Sequence, residues 1–179
     1  MRSDAARSTR AIIEAAERVL SANPAASLEQ IAEAAGVART TVHRRFAGRE
    51  ALLRTMGAQA WAQIRDAVAE IVQDAAPPMV AWHRATTAVL AVKHGWTFAL
   101  THIDEADAET LAVIGEVTAI TDTFLLRARD AGLLRPEADL EWVRRVYMAL
   151  ISESVHGQAE HGDADATRVL DTLLRGFGA

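Results

Sequence analysis

At 179 residues, with half of them apolar and 24% charged, the chain has the composition of a folded soluble protein. Either one large domain or a small domain joined to a medium one would bury a real core at this length. There is no cysteine, which excludes disulfides, thiolate metal sites and cysteine nucleophiles. The start, MRSDAARSTR, lacks the apolar stretch of a secretory signal, and no apolar run approaches the ~18 residues of a membrane span. A cytoplasmic protein with no membrane partner is expected.

The net charge of −5 is unevenly spread. Residues 1–56 hold nine arginines against six acids, a net of +3, whereas the remainder holds ten basic and eighteen acidic residues, a net of −8. A basic head on an acidic body points to a polyanionic partner for the head alone, although charge also fluctuates along chains that have no such partner.

In chain order, Ile12, Ile13, Ala16, Val19 and Leu20 recur at helical spacing and predict a first helix over about residues 5–21. Asn23-Pro24 ends it, because proline disfavours helical geometry in the residue before it. Ser27 is a suitable N-cap, and Leu28, Ile31, Ala32 and Ala35 form the apolar stripe of a short second helix. Gly36 follows, where a chain leaving a helix commonly needs positive φ. Val37 and Val42 flank a third short helix over 39–46, and Gly48 separates it from a long amphipathic helix over about 49–74. Beyond Pro77-Pro78 the pattern predicts helices over 79–94, 96–103, 108–131, 138–156 and 164–177. No stretch alternates with period two, and there is no internal repeat. The expected fold class is all-α.

The segment ARTTVHRRFAGRE, residues 38–50, carries four arginines and a histidine against a single acid. A short helix, a glycine turn and a second short helix make a helix-turn-helix, whose second member enters the major groove. Counting Leu28 as first, Ala32 is fifth, where a small side chain lets two helices cross closely. Gly36 is ninth, in the turn, and Val42 is fifteenth, where it anchors the second helix to the first. Arg39, Thr40, Thr41, His43, Arg44 and Arg45 are left pointing mostly away from the core. Arginine can bond guanine bidentately, and threonine can touch a thymine methyl or a phosphate. A solvated helical hairpin shares part of this pattern; the spacing combined with the basic face favours DNA.

The stretch SLEQIAEAAGVARTTVHRRFAGREALLRTM, residues 27–56, resembles the N-terminal DNA-binding domain of the TetR (tetracycline-repressor-like) transcriptional regulators. The resemblance rests on the Ile-Ala pair of the second helix, the Ala-Gly-Val turn, the Phe46 anchor and the basic residue that opens the Glu-Ala-Leu-Leu helix. The rest of the chain agrees in length and helical pattern only. The resemblance implies a helix-turn-helix domain over 1–48 and an all-helical ligand-binding and dimerisation domain over 49–179. It places Arg39, Thr40, Thr41, His43 and Arg45 on bases and phosphates and Arg49 on a phosphate. Ser27 would set its amides near another phosphate, in keeping with the affinity of helix N-termini for anions. Two positions depart from the pattern, since the family often has tyrosine at His43 and lysine at Arg49. Arginine still suits a phosphate, while the role and charge of His43 stay open.

Such proteins act as homodimers on palindromic double-stranded operators, with half-sites about one helical turn, or a multiple of it, apart. Val143, Val146, Tyr147, Leu150 and Ile151 form a stripe on the eighth predicted helix, and Val169, Leu170, Leu173, Leu174 and Phe177 form one on the ninth. Paired across a two-fold axis they would give a four-helix bundle; alternatively both stripes face the chain's own core. A small-molecule effector is expected among the middle helices. Its candidate contacts are Trp61, Trp82, His83, Thr86, Trp96 and Phe98, followed by Thr118, Thr121, Phe124 and Tyr147, each of which would equally serve as ordinary core. A helix running from DNA phosphates into this cavity would couple the two sites.

No HExxH, GxSxG or P-loop occurs, and neither an enzymatic activity nor a cofactor is expected. His102 with Asp104 and Glu105 is the one weak metal set and reads better as a solvated helix end. Asp122 and Glu153, acids within apolar faces, read as partners of an arginine or of a ligand cation. The expected function is a sequence-specific DNA-binding regulator, a repressor released by a small molecule. The alternative is an all-helical small-molecule-binding or interaction module whose basic segment docks on an acidic protein.

Overall fold

A computed structural model describes residues 2–101, 108–154 and 162–179. These residues form α1 (Arg2–Ala22), α2 (Leu28–Ala34), α3 (Arg39–Arg45), α4 (Arg49–Gln73), α5 (Pro78–Gly95), α6 (Thr97–Thr101), α7 (Ala108–Asp130), α8 (Leu140–Ser154) and α9 (Asp163–Phe177). No strand occurs among them; an isolated antiparallel bridge joins Leu134 to Gly178. The all-α expectation is met. Among the described residues no helix is long and apolar enough to cross a membrane.

Local chemistry sets the helix ends. Ser27 is the N-cap of α2: its hydroxyl accepts from the Gln30 N–H at 3.3 Å, and the Gln30 side chain accepts from the Ser27 N–H at 2.8 Å, a reciprocal capping box. At the other end Gly36 takes φ +67, so that its own N–H reaches Glu33 O and that of Val37 reaches Ala32 O, both at 3.0 Å. This left-handed closure is nearly free for glycine alone. The start of α8 falls at Leu140 rather than 138 because the Asp139 carboxylate accepts from the amides of Glu141 and Trp142.

The chain forms two compact units, Met1–Ala60 with Trp96–Thr110, and Trp61–Gly95 with Leu111–Ala179. The helix α4 contributes its first half to one and its second half to the other. In the first unit α1 packs on α2 and α6, and α2 packs on α3. Ile12, Ile13, Leu20, Ile31, Val42 and Met56 are fully buried there, each contributing about 1.5–3 kcal/mol.

In the second unit α9 packs on α5 and α8, with Trp82, Leu90, Leu125, Ile151 and Leu170 at its centre. Trp82 meets Tyr147 edge-on at 5.7 Å, and the Tyr147 hydroxyl lies 2.9 Å from the Thr86 hydroxyl. From α7, the Arg127 guanidinium donates to the carbonyls of Val72, Asp74 and Ala76, closing the C-terminal end of α4. The Val72 carbonyl, in the last turn of α4, lacks an intrahelical partner and lies at the negative end of the helix dipole, so a cation is favoured there.

Candidate nucleic-acid interface

The first unit presents α3 on a rigid mount. Val42 is completely buried and Phe46, the C-cap, is 5% exposed, so one side of α3 is anchored in the core. The opposite side shows Arg39, Thr40, His43, Arg44 and Arg45 to solvent, with Thr41 half-buried at its edge. All six candidates therefore lie together on one short helix. Anchor and face follow from a helix of only two turns: apolar residues at one phase leave every other phase outward.

The cations on this face are not equivalent. Arg39 forms a 2.5 Å ion pair with Glu29 of α2 and donates to His43 Nε2 at 3.4 Å. Glu29 is held below the usual carboxylate range, first by a hydrogen bond from its own backbone N–H and then by the Ser27 hydroxyl. Arg44 and Arg45, in contrast, have neither an ion pair nor a hydrogen bond to any described residue, and no acid lies between residues 34 and 49. Two unneutralised guanidiniums on a fixed helix suit an anionic, hydrogen-bond-accepting surface.

Arg49 opens α4 and does more than spacing indicated. Its guanidinium donates to Ala26 O at 2.6 Å and to Pro24 O, tying the start of α4 to the loop that precedes α2. Two of its five N–H donors are thereby engaged. Ser27, exposed at the end of that same loop, sits close in sequence to both acceptors. The clamp joins two of the candidate residues into one local structure, and it was invisible in the sequence because carbonyl acceptors carry no residue signature.

The candidates for a ligand site separate into groups. Trp61, Thr118 and Thr121 line a cavity of about 310 Å³ within the second unit, between α4, α7 and α8. Ile114, Val117 and Met148 supply its apolar wall. The α7 lining residues 114, 117, 118 and 121 fall at helical spacing, a signal that would have added the first two to the sequence-based set. Trp82, Thr86 and Tyr147 form the buried cluster described above, and Phe124 is also buried. His83 is bonded to Thr167 at 3.0 Å and faces Asp163 at 3.5 Å. Trp96 and Phe98 belong to the first unit. Asp122 pairs with Arg144 at 2.5 Å, in line with its expected arginine partner. The His102, Asp104 and Glu105 set lies outside the described residues.

On the terminal helices, Val143, Ile151, Val169, Leu170 and Leu173 are buried within their own chain, as is Tyr147. Val146, Leu150, Leu174 and Phe177 remain partly exposed, and Trp142 beside them is 49% exposed.

A buried anchor under an exposed basic helix, mounted by a glycine turn and a capping box, defines a helix-turn-helix DNA-binding protein with an all-helical body. Residues 12–56 match the model of the bacterial regulatory proteins of the tetR family. The chain is 31% identical to the HTH-type transcriptional repressor LfrR of Mycolicibacterium smegmatis, over 96% of this chain and 90% of that protein. Two solved structures share the fold. The regulator PfmR from Thermus thermophilus has a TM-score of 0.77 at 18% identity, covering 92% of this chain and 97% of its own. LfrR from Mycobacterium smegmatis, in complex with proflavine, has a TM-score of 0.74 at 24% identity, with 95% and 96% covered. The chain belongs to the TetR family of bacterial transcriptional regulators.

Proposed function

We propose that this regulator is a homodimeric repressor that holds a palindromic operator through α3 and is released by a small molecule seated between α4, α7 and α8. The observation that carries the DNA contact is the α3 face, where Arg44 and Arg45 stand over the buried Val42 with no hydrogen-bond or ion-pair partner among the described residues. Arg39, Thr40, Thr41, His43 and Arg45 are the base-reading and phosphate-binding set. Arg49 and the amides that follow Ser27 hold the backbone. One two-turn helix spans only a few base pairs, so specificity requires a second copy about one helical turn, or a multiple of it, away. The partly exposed apolar edges of α8 and α9, with Trp142, support pairing there.

Release follows from the continuity of α4. Arg49 stands at its start and Trp61, three turns on, lines the cavity. A ligand that displaces α4 re-aims α3 through the Arg49 clamp, a coupling of about 1–3 kcal/mol, or roughly 5- to 150-fold in operator affinity. The site of action is the bacterial cytoplasm, where the operator lies.

Selection of bound fragments from a random DNA pool, followed by a salt titration of the best one, tests the DNA role. A palindromic motif whose affinity falls steeply and log-linearly with salt supports it. Recovery of no motif, with shallow salt dependence, would sink it and leave the basic segment as a surface for an acidic protein.

A further inference from the structure

The polar groups around the α4–α7–α8 cavity are unequal in charge and in hydrogen-bonding state. Among the described residues its wall contains no acid and two arginines, Arg144 and Arg145. Arg144 is neutralised, because one of its guanidinium nitrogens donates to both Asp122 oxygens at 2.5 and 2.7 Å. Arg145 has no acidic partner among the described residues; its guanidinium rests 5.4 Å from the ring centre of the exposed Trp142. The indole N–H of Trp61 is a buried donor with no acceptor among the described residues. The hydroxyls of Thr118 and Thr121 donate to the carbonyls of Ile114 and Val117 on their own helix. The Trp61 N–H is closed off from the cavity space, so among the described residues the one uncompensated charge along the lining is the positive charge of Arg145.

Among the described residues a ligand cation would meet no free carboxylate here, because Asp122 is already held, and it would lie near the Arg145 charge. An apolar acid meets the opposite conditions. Its body replaces water against Ile114, Val117 and Met148, and its carboxylate can take the Arg145 guanidinium as a charge-assisted donor. At about 310 Å³ the cavity stands at the small end of the ~300–1,000 Å³ range of ligand pockets, which suits a compact molecule. Resting on the reading of this cavity as the effector site, we infer that the effector is a small organic acid, an aromatic or aliphatic body with one carboxylate directed to Arg145. This sets the chain apart from a simple transfer of ligand from LfrR, whose solved complex holds proflavine, a planar aromatic cation.

The test uses the full chain and two three-ring probes of matched shape and opposite charge, anthracene-2-carboxylate and proflavine, both followed by their own fluorescence. The acid is expected to bind at least about tenfold more tightly, the factor given by ~1.4 kcal/mol. Arg145→Gln should lower the affinity for the acid by a similar factor and leave that for proflavine unchanged or higher. Thr118→Trp and, independently, Met148→Phe fill the cavity and should weaken binding of the acid. A preference for proflavine, or acid binding indifferent to Arg145→Gln, overturns the acid class; the effector cavity then still stands if both filling variants reduce binding. Probe binding untouched by either filling variant overturns the cavity itself, and so does an absence of binding by both probes.

Discussion

The carboxylate of Glu17, on α1, accepts a 2.8 Å hydrogen bond from the backbone N–H of Phe98 at the start of α6. Its second oxygen takes the N–H of Ala99 at 3.1 Å, and the Ser21 hydroxyl adds a 3.2 Å bond to the first. Glu17 is only 8% exposed. A buried carboxylate is costly when alone, but here it meets first-turn amides, which have no acceptor within their helix, at the positive end of the helix dipole. The pair fixes α6 to α1 inside the first unit.

Removing that carboxylate should be felt in stability. Glu17→Ala leaves two amides without their acceptor and is expected to cost about 1–3 kcal/mol, with the unfolding midpoint falling by roughly 2–4 °C for each kcal/mol. Glu17→Gln retains one acceptor oxygen and should lose less. Thermal unfolding of the three proteins decides it: an unchanged midpoint in Glu17→Ala would show that water replaces the carboxylate at no cost.

Arg45 and Arg49 should separate in two readouts. Arg45→Ala is expected to cost about 1–3 kcal/mol on the preferred operator and relax specificity at one position, with thermal stability unchanged because the side chain makes no hydrogen bond or ion pair to any described residue. Arg49→Ala should weaken binding to all sequences alike and lower the salt slope by about one. It should also lower the unfolding midpoint, since Pro24 and Ala26 lose their donor. Equal losses on every sequence for Arg45→Ala would remove its base-reading role. An unaltered midpoint for Arg49→Ala would remove the clamp.

Gly36→Ala isolates backbone strain. A Cβ at this position would meet nothing within 4 Å, so the substitution introduces no clash with other residues. The φ of +67 alone should cost about 1–2 kcal/mol. Chemical denaturation of the variant measures it directly, and a stability equal to wild type would mean that the turn relaxes out of the left-handed region. Gly36→Asn, which tolerates that region better, should recover part of the loss.

Tyr147 should make stability fall at alkaline pH. Burial pushes its hydroxyl from 10.0 up to about 12, partly offset by the hydrogen bond with Thr86. The folded state therefore holds the proton longer than the unfolded chain. The associated stability, on the order of 2–3 kcal/mol, is fully present below pH 10 and is lost as pH rises toward 12. Denaturant midpoints measured from pH 9 to 12 should fall more steeply for wild type than for Tyr147→Phe. Parallel curves would mean that the hydroxyl is accessible to water in the folded state.

Much of the reading head is legible in the amino-acid sequence. Leu28, Ala32, Gly36 and Val42 are spaced by a packing rule that is local along the chain, so the turn, the anchor and the outward basic face all follow from that spacing. The same holds for the α2 cap, where Ser27 and Gln30 are three residues apart. The ligand candidates are less legible. Trp82, Trp96 and Phe98 have the aromatic character of cavity walls, yet each is buried, Trp82 in the second unit and the other two in the first. An aromatic side chain is equally suited to a core and to a cavity, and composition does not distinguish the two.

By itself the sequence determined what depends on neighbours within a turn or two: an all-helical chain, the approximate course of its helices, and a basic recognition helix on a glycine turn. The tertiary structure decided which distant groups satisfy one another. It set Glu17 against the amides of α6, Arg49 against the carbonyls of Pro24 and Ala26, and Arg144 against Asp122, leaving Arg45 and Arg145 as cations without an acidic partner among the described residues. Hydrogen bonds and ion pairs form between groups close in space whatever their separation along the chain. Only the folded arrangement therefore shows which charges are already matched and which are left for a partner to meet.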